Sequence, residues 1–300
     1  MYVRLVRLES LPSKPQKLDL LSLINGYFLM PIRLLALDLD GTILLDLHTI
    51  SARTQAAIRA AVAQGVYVTI ATGRVYDVSH KFVQLLGLTT PTICSQGVMI
   101  INGHTGEIIY QESMTIPLAE KVIDLTRADK LALNLNVNGK FYTEYLSPLT
   151  QEILVASGAT VLEVADLKQI MTHPPLKGVI VHPADEVEAK IAQLRVALGS
   201  DLSLVRSSNV LIEVFSPTAS KGRALSILAD YLGVAQEEVM AIGDHDNDVE
   251  MLTWAGLGVA MGNASPPAKA TAKVIAPSIR EDGAAWAIEQ FVLQSSRVAG

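Results

Sequence analysis

The stretch Ile32-Arg33-Leu34-Leu35-Ala36-Leu37-Asp38-Leu39-Asp40-Gly41-Thr42 decides how this chain is read. An apolar segment, Ile32 to Leu37, has strand character and runs straight into a tight acidic group. Some two hundred residues later, Val239-Met240-Ala241-Ile242 leads in the same way into Gly243-Asp244-His245-Asp246-Asn247-Asp248. Two carboxylate clusters at two strand ends point to one shared site. Aspartates also cap helices and form Asx turns. Finding both clusters behind apolar strands in a single α/β pattern weighs against that plainer reading.

Working outward, the text around the first cluster alternates short apolar runs with amphipathic stretches. Leu34 to Leu39 reads as a strand, Asp40 to His48 as a loop, Ser51 to Gln64 as a helix, Tyr67 to Thr72 as a strand and Val75 to Leu86 as a helix. Ser51 caps the first helix and Gly65 ends it. Val/Ile-rich runs between helices of three or four turns predict a doubly wound, mostly parallel sheet covered on both faces. In such sheets ligands bind at the carboxyl ends of the strands.

After Ile93 the texture changes. Met99-Ile100-Ile101 and Glu107-Ile108-Ile109-Tyr110 flank a turn and read as a hairpin. Helices at Leu118 to Lys130, Thr150 to Ala156 and Asp185 to Leu198 are interleaved with strands at Leu131 to Val137, Lys140 to Tyr145, Gly178 to His182, Leu202 to Ser207 and Val210 to Phe215. The βαβ grammar then returns: helices Lys221 to Leu232, Asp246 to Ala255, Pro266 to Ala272 and Gly283 to Gln290, with strands Val239 to Ile242 and Leu257 to Ala260. The expected organisation is a discontinuous core of residues 31–112 and 216–300 and an inserted α+β cap of residues 113–215.

Three hundred residues suit one large α/β core with one insert. An apolar fraction of 50% fills a core and excludes low-complexity disorder. Twenty-four basic residues against thirty acidic ones, with no basic block, argue against a nucleic-acid partner and for a small soluble substrate. The single Cys94 excludes an intrachain disulfide and fits a reducing compartment, the cytoplasm. Within Thr92-Ile93-Cys94 it reads as a buried core thiol. Leu18 to Leu29 is apolar but broken by Asp19 and Asn25-Gly26, too short to cross a bilayer and without a cleavage pattern. Met30 opens the core strand and reads as a start of translation, so residues 1–30 are expected to be an N-terminal extension, not native or poorly ordered. A packed amphipathic appendage is the alternative.

Carboxylates gathered without basic partners repel one another unless protonated or bridged by a cation. A hard oxygen-only set drawn from Asp38, Asp244 and Asp248 suits Mg²⁺, which binds phosphate oxygens and retains waters. His245 brings zinc to mind, yet no second histidine or cysteine stands near it. Phosphate also needs donors. Thr72-Gly73-Arg74 supplies a hydroxyl and approachable amides at a strand-to-helix junction, and Lys221 adds a compact point charge. No G-x-G-x-x-G turn, P-loop, Cys/His cluster or G-x-S-x-G elbow is present.

Asp38-Leu39-Asp40-Gly41-Thr42, Thr72-Gly73-Arg74, Lys221-Gly222, and Gly243-Asp244 with Asn247-Asp248 occur in an order that resembles the haloacid dehalogenase (HAD) superfamily of phosphatases. The likeness is to its Cof-type branch, with a large C2-type cap between the second and third motifs. The resemblance implies a Rossmann-like core and Mg²⁺-dependent hydrolysis of small phosphomonoesters, either sugar phosphates or nucleotide- and flavin-related phosphates. It implies Asp38 as the nucleophile that becomes an aspartyl-phosphate, and Asp40 as acid and then base. Thr72, Gly73 and Lys221 would hold the phosphoryl group. Asp38, the backbone carbonyl of Asp40, and Asp244 would bind Mg²⁺, with Thr42, Asn247 and Asp248 positioning them. The alternatives are a phosphomutase and a catalytically silent phospho-ligand-binding regulatory protein. A mutase cap would lie between Thr42 and Ile70, where only a short span exists, and a silent protein need not keep the acidic set.

Two departures from the family pattern bear on substrate fit. Ser95-Gln96-Gly97-Val98 stands where Ser-Asn-Gly-Ala is frequent, and His245 replaces a smaller residue. Glu281-Asp282-Gly283 resembles the closing segment, as turn and cap near the site. Asn136, Asn138, Tyr142, His173 and Lys177 are candidate cap contacts to the substrate. The expected partner is a small phosphorylated metabolite, with no nucleic acid, membrane or obligate protein partner.

Overall fold

The computed structural model describes residues 31–46 and 48–294, together with the backbone of two short strands, Leu23–Ile24 and Tyr27–Phe28. Those two strands pair antiparallel, Leu23 opposite Phe28. Otherwise the expected N-terminal extension of residues 1–30, including a start at Met30, lies outside the described residues.

The fold is α/β. Five parallel strands form the main sheet in the spatial order Val274–Ile275, Leu257–Ala260, Val239–Gly243, Leu34–Leu37, Tyr67–Ile70. Every residue of Leu34–Leu37 and of Val239–Gly243 is buried, which is why both read as unbroken apolar runs and not as alternating ones. Helices Ala52–Ala63, Lys221–Leu232 and Gly283–Ile288 turn Ile58, Leu225 and Ile288 into the same core. Ser51 caps the first of these, its Oγ accepting from Thr54 N at 3.1 Å. The chain leaves Leu34–Leu37 toward Tyr67–Ile70 on one side and returns at Val239–Gly243 on the other. The sheet order therefore reverses beside its first strand, the place where such folds hold ligands.

Register aligns the strand ends. Leu37 lies level with both Ile242 and Ile70, so Asp38, Gly243 and Ala71 leave the sheet at one edge. Thr92–Cys94 joins through a parallel bridge between Ala71 and Ile93. It then opens a three-stranded antiparallel sheet with Met99–Ile101 and Ile108–Gln111, the expected hairpin.

A second sheet of six strands takes the order Val161–Glu163, Lys140–Thr143, Leu133–Val137, Lys177–Val181, Leu211–Phe215, Ser203–Ser208. Its pairs are antiparallel except the outermost, Val161–Glu163 with Lys140–Thr143. Alternation divides its faces. Leu133, Leu135, Ile180, Ile212 and Val214 pack with Val122, Ile123, Ile191 and Leu194 of helices Ile116–Ala128 and Val187–Leu198. Phe141 and Val179 instead pack with Val75 and Val78, beside the start of helix Tyr76–Leu86. That second face is turned toward the strand ends of the main sheet.

Several segments differ from the sequence expectation, the unexpected short helix Leu167–Ile170 among them. Strand Val161–Glu163 was not expected, because its residues are half-buried or exposed and show no alternation. Strand Val274–Ile275, only two residues long, was likewise not expected. The expected helix at Thr150 to Ala156 begins earlier, at Pro148, where Ser147 caps it, and widens into an i→i+5 turn over Gln151–Val155. Among the described residues, no helix is long and apolar enough to cross a membrane.

Candidate active site

Lys221 is the first residue of helix Lys221–Leu232, and its ammonium is fully buried. It donates to Asp38 Oδ1 and to Asp248 Oδ1, each at 2.7 Å. The other oxygen of Asp248 accepts from Asp244 N at 2.9 Å and His245 N at 3.1 Å, closing the loop after Val239–Gly243 into a 3₁₀ turn over Asp246–Asp248. Asp38, Asp244 and Asp248 are all buried, and each offers a carboxylate oxygen within 4.8 Å of the others. The two acidic clusters distant in sequence thus share one pocket.

One ammonium against three carboxylates leaves negative charge in excess. Burial pushes the Asp38 carboxyl up to about 7, against the pull of Lys221, with Asp248 and Asp40 adding to the rise. Burial likewise pushes Asp244 up to about 9, reinforced by Asp38 and Asp248. Burial opposes the Lys221 charge, but Asp248 and Asp38 outweigh it and hold its pKa above the ordinary lysine value. These donors fit a divalent cation. They are oxygens only, they carry surplus charge, and the cluster contains no histidine or cysteine. Asp248 spends its oxygens on close bonds of 2.7–3.1 Å to Lys221 and two amides and holds the frame, whereas Asp244 accepts only at 3.3 and 3.4 Å, from Thr42 and Asn263, and Lys221 takes just one oxygen of Asp38, so Asp38 and Asp244 are the carboxylates with more capacity to ligate.

The loop after Asp38 is shaped for close approach. Gly41 sits at φ +84°, and a Cβ there would lie 2.2 Å from Asp244 Oδ2. Thr42 Oγ1 donates to Asp244 Oδ1 at 3.3 Å. Asp40 is set apart from the three carboxylates. Its side chain is 47% exposed and is gripped by the guanidinium of Arg74, Nε to Oδ2 at 2.8 Å and Nη2 to Oδ1 at 2.5 Å. Thr72 is buried at the end of its strand, its Oγ1 accepting from Arg74 N at 3.1 Å. Gly73 presents its carbonyl to Lys177 Nζ at 2.5 Å.

Asn247 turns elsewhere. Its Nδ2 donates to Gln96 Oε1 at 2.9 Å, Gln96 Nε2 donates to Glu213 Oε1 at 2.6 Å, and Glu213 is ion-paired with Lys177. This buried chain of side chains ties strands Lys177–Val181 and Leu211–Phe215 to the loops of the main sheet. Gln96 supports it from a left-handed backbone, φ +64°, next to Ser95 at φ +53°. Such positions cost about 1–3 kcal/mol each, which the two amide hydrogen bonds help offset. The longer side chain at position 96 is what reaches both partners. His245 makes a further link, its Nδ1 lying 3.1 Å from the Arg206 carbonyl. A carbonyl only accepts, so Nδ1 carries the proton.

Of the five candidate cap contacts, Lys177 lines the cavity between the two sheets. Asn136 pairs with it in register, fully buried, with neither amide atom hydrogen-bonded. Tyr142 faces the other way, into the helix-side cluster. Asn138 is an exposed turn residue at φ +50°, and His173 is exposed beside Thr172. Sequence reasoning passed over Glu213, the partnering of Arg74, and Asn263, which donates to the Gly41 carbonyl at 2.8 Å. A lone glutamate in the apolar run Leu211–Phe215 and a lone lysine opening Lys177–Val181 were the available signal for the first.

A sequence profile of haloacid dehalogenase-like hydrolases matches residues 35–288. The chain is 32% identical over 263 residues to the 5-amino-6-(5-phospho-D-ribitylamino)uracil phosphatase YcsE of Bacillus subtilis, spanning 87% of this chain and 96% of that protein. It is 32% identical over 237 residues to the HMP-PP phosphatase of Cronobacter sakazakii, spanning 78% and 85%. A haloacid dehalogenase-like hydrolase from Bacteroides thetaiotaomicron has a similar solved structure, with a TM-score of 0.77 at 29% identity, covering 86% of this chain and 99% of that one.

Proposed function

This chain belongs to the haloacid dehalogenase-like hydrolases, a family of enzymes, and from that premise we propose that it hydrolyses small phosphomonoesters through an aspartyl-phosphate on Asp38, with Mg²⁺ as cofactor. The observation that carries this reading is the Lys221 ammonium held between Asp38 and Asp248, with Asp244 beside them at a single sheet edge. We take residues 31–112 and 216–300 as the catalytic core, residues 113–215 as the cap, a small phosphorylated metabolite as the partner and the cytoplasm as the setting.

Lys221 fixes one oxygen of Asp38 and leaves Oδ2 to attack phosphorus. As the new P–O bond forms, the bond to the leaving alcohol breaks, and Asp40 delivers a proton to the departing oxygen. Asp40 reaches that oxygen by exchanging the Arg74 fork for substrate, which its exposed position allows, and in that exchange takes up from solvent the proton that it delivers. Asp40 next takes a proton from water, which attacks the phosphorus, breaks its bond to Asp38 and releases inorganic phosphate. Thr72, the Gly73 amide and Lys221 hold the phosphoryl oxygens. Asp38, the Asp40 carbonyl and Asp244 would hold Mg²⁺, which when bound screens the phosphoryl charge against the carboxylates. Thr42 steadies Asp244, Asp248 steadies Lys221 and the amides of Asp244 and His245, and Asn247 acts through Gln96.

The test is release of inorganic phosphate from a generic aryl phosphate with and without Mg²⁺. Turnover should require the cation. Asp38→Asn should lower it by about 10³-fold or more at an unchanged melting temperature. A metal-loaded protein that releases nothing, or an Asn variant as active as the parent, would refute the assignment.

A further inference from the structure

The cavity that opens on Asp38, Asp40 and Asp244 measures about 250 Å³, and beyond the carboxylates its lining is predominantly apolar. Val75 and Val78 approach from the core side, and Phe141, Leu154, Val179 and Leu211 from the six-stranded sheet and the turn beside it. These six side chains belong to one contiguous apolar cluster. Lys177, Glu213, Gln96 and Asn247 also line the cavity, their polar groups largely spent on one another, while Ser157 Oγ donates to the Leu154 carbonyl and Ser208 Oγ accepts from Val210 N. Two buried polar atoms on the lining have no hydrogen-bond partner, Ser207 Oγ and Asn247 Oδ1.

On the phosphatase reading above, the geometry points to a substrate class: a phosphomonoester whose alcohol carries a compact, largely apolar or heteroaromatic ring bearing one or two polar edge groups. A free sugar phosphate fits this wall poorly. Each sugar hydroxyl pressed against Val, Leu or Phe would lose its water and find no partner, whereas a ring edge needs only the two unpartnered atoms. Size agrees, since an apolar cavity of about 150 Å³ already holds benzene. Asp38, Thr72, Gly73 and Lys221 take the phosphoryl group on that reading, so the apolar part of the lining, most of it supplied by the six-stranded sheet and the turn beside it, is left for the leaving group.

Phenethyl phosphate and a hexose phosphate, both primary alkyl esters of matched intrinsic reactivity, test the assignment in the Mg²⁺-loaded protein by phosphate release. The phenethyl ester should have a kcat/KM higher by about tenfold or more. Val179→Thr, which keeps shape and adds a hydroxyl to the wall, should lower that ratio several-fold, and Leu154→Met, which keeps volume and polarity, should preserve it. Melting curves of both variants check that they fold. A hexose phosphate hydrolysed as well as or better than the ring ester would overturn the substrate class and leave the phosphatase reading standing. So would a ratio that Val179→Thr leaves unmoved. If neither ester nor the aryl phosphate is hydrolysed, the phosphatase reading falls and this inference falls with it.

Discussion

Lys221 concentrates the energetics of the site in one side chain. Without a cation, burial first and the neighbouring carboxylates second make ionisation of Asp38 and Asp244 unfavourable, raising them to about 7 and about 9 from an ordinary value of 3.8. A carboxyl whose folded pKa is raised contributes stability that is complete below its unfolded value and is lost as pH rises through the folded one. The chelated protein should therefore lose melting temperature steadily from about pH 4 to about pH 9. Added Mg²⁺ should flatten that decline, because a bound cation favours the ionised pair. Calorimetry at a series of pH values, in chelator and in Mg²⁺, reads this directly, and parallel curves would contradict a cation site at these carboxylates. Cys94 gives a second outcome at this scale. Burial pushes its thiol up to about 12, so a thiol reagent at neutral pH should label it only as the protein unfolds.

Between elements, the decisive contact is Lys177 with Glu213, each 3% exposed, one from each of two paired strands. Removing one partner of a buried pair costs about 3–5 kcal/mol, since the other charge stays buried alone. Glu213→Ala should lose about that much in denaturant unfolding, while pairing it with Lys177→Met should restore part of the loss. An additive double variant would show that the two charges do not act as a unit. This contact also marks where sequence reading stopped. Leu34–Leu37 and Val239–Gly243 were legible because strands buried on both faces are apolar throughout, and the acidic groups stand at their very ends. Whether Tyr142 or its neighbour Phe141 enters the cavity depends on a one-residue parity that Lys140–Thr143 does not reveal, since both rings are aromatic. That Lys177 meets Glu213 depends on register between strands far apart in the chain. Gln96 was noticed as a departure in the site, but its two partners come from loops and strands more than a hundred residues away.

Across the whole molecule, the two sheets meet with polar side chains at the middle of their junction and apolar ones around it. The roof of the cavity is fastened to its floor in the arrangement described: Lys177 grips the Gly73 carbonyl, Glu213 grips Gln96, and His245 reaches Arg206. Parting those fastenings to widen the cavity would move two large bodies against the drag of the surrounding liquid. The pace of the cycle should then belong to the doorway. With a good substrate, kcat should fall as sucrose thickens the buffer, whereas a poor substrate, slow in its bond-breaking, should be indifferent to it.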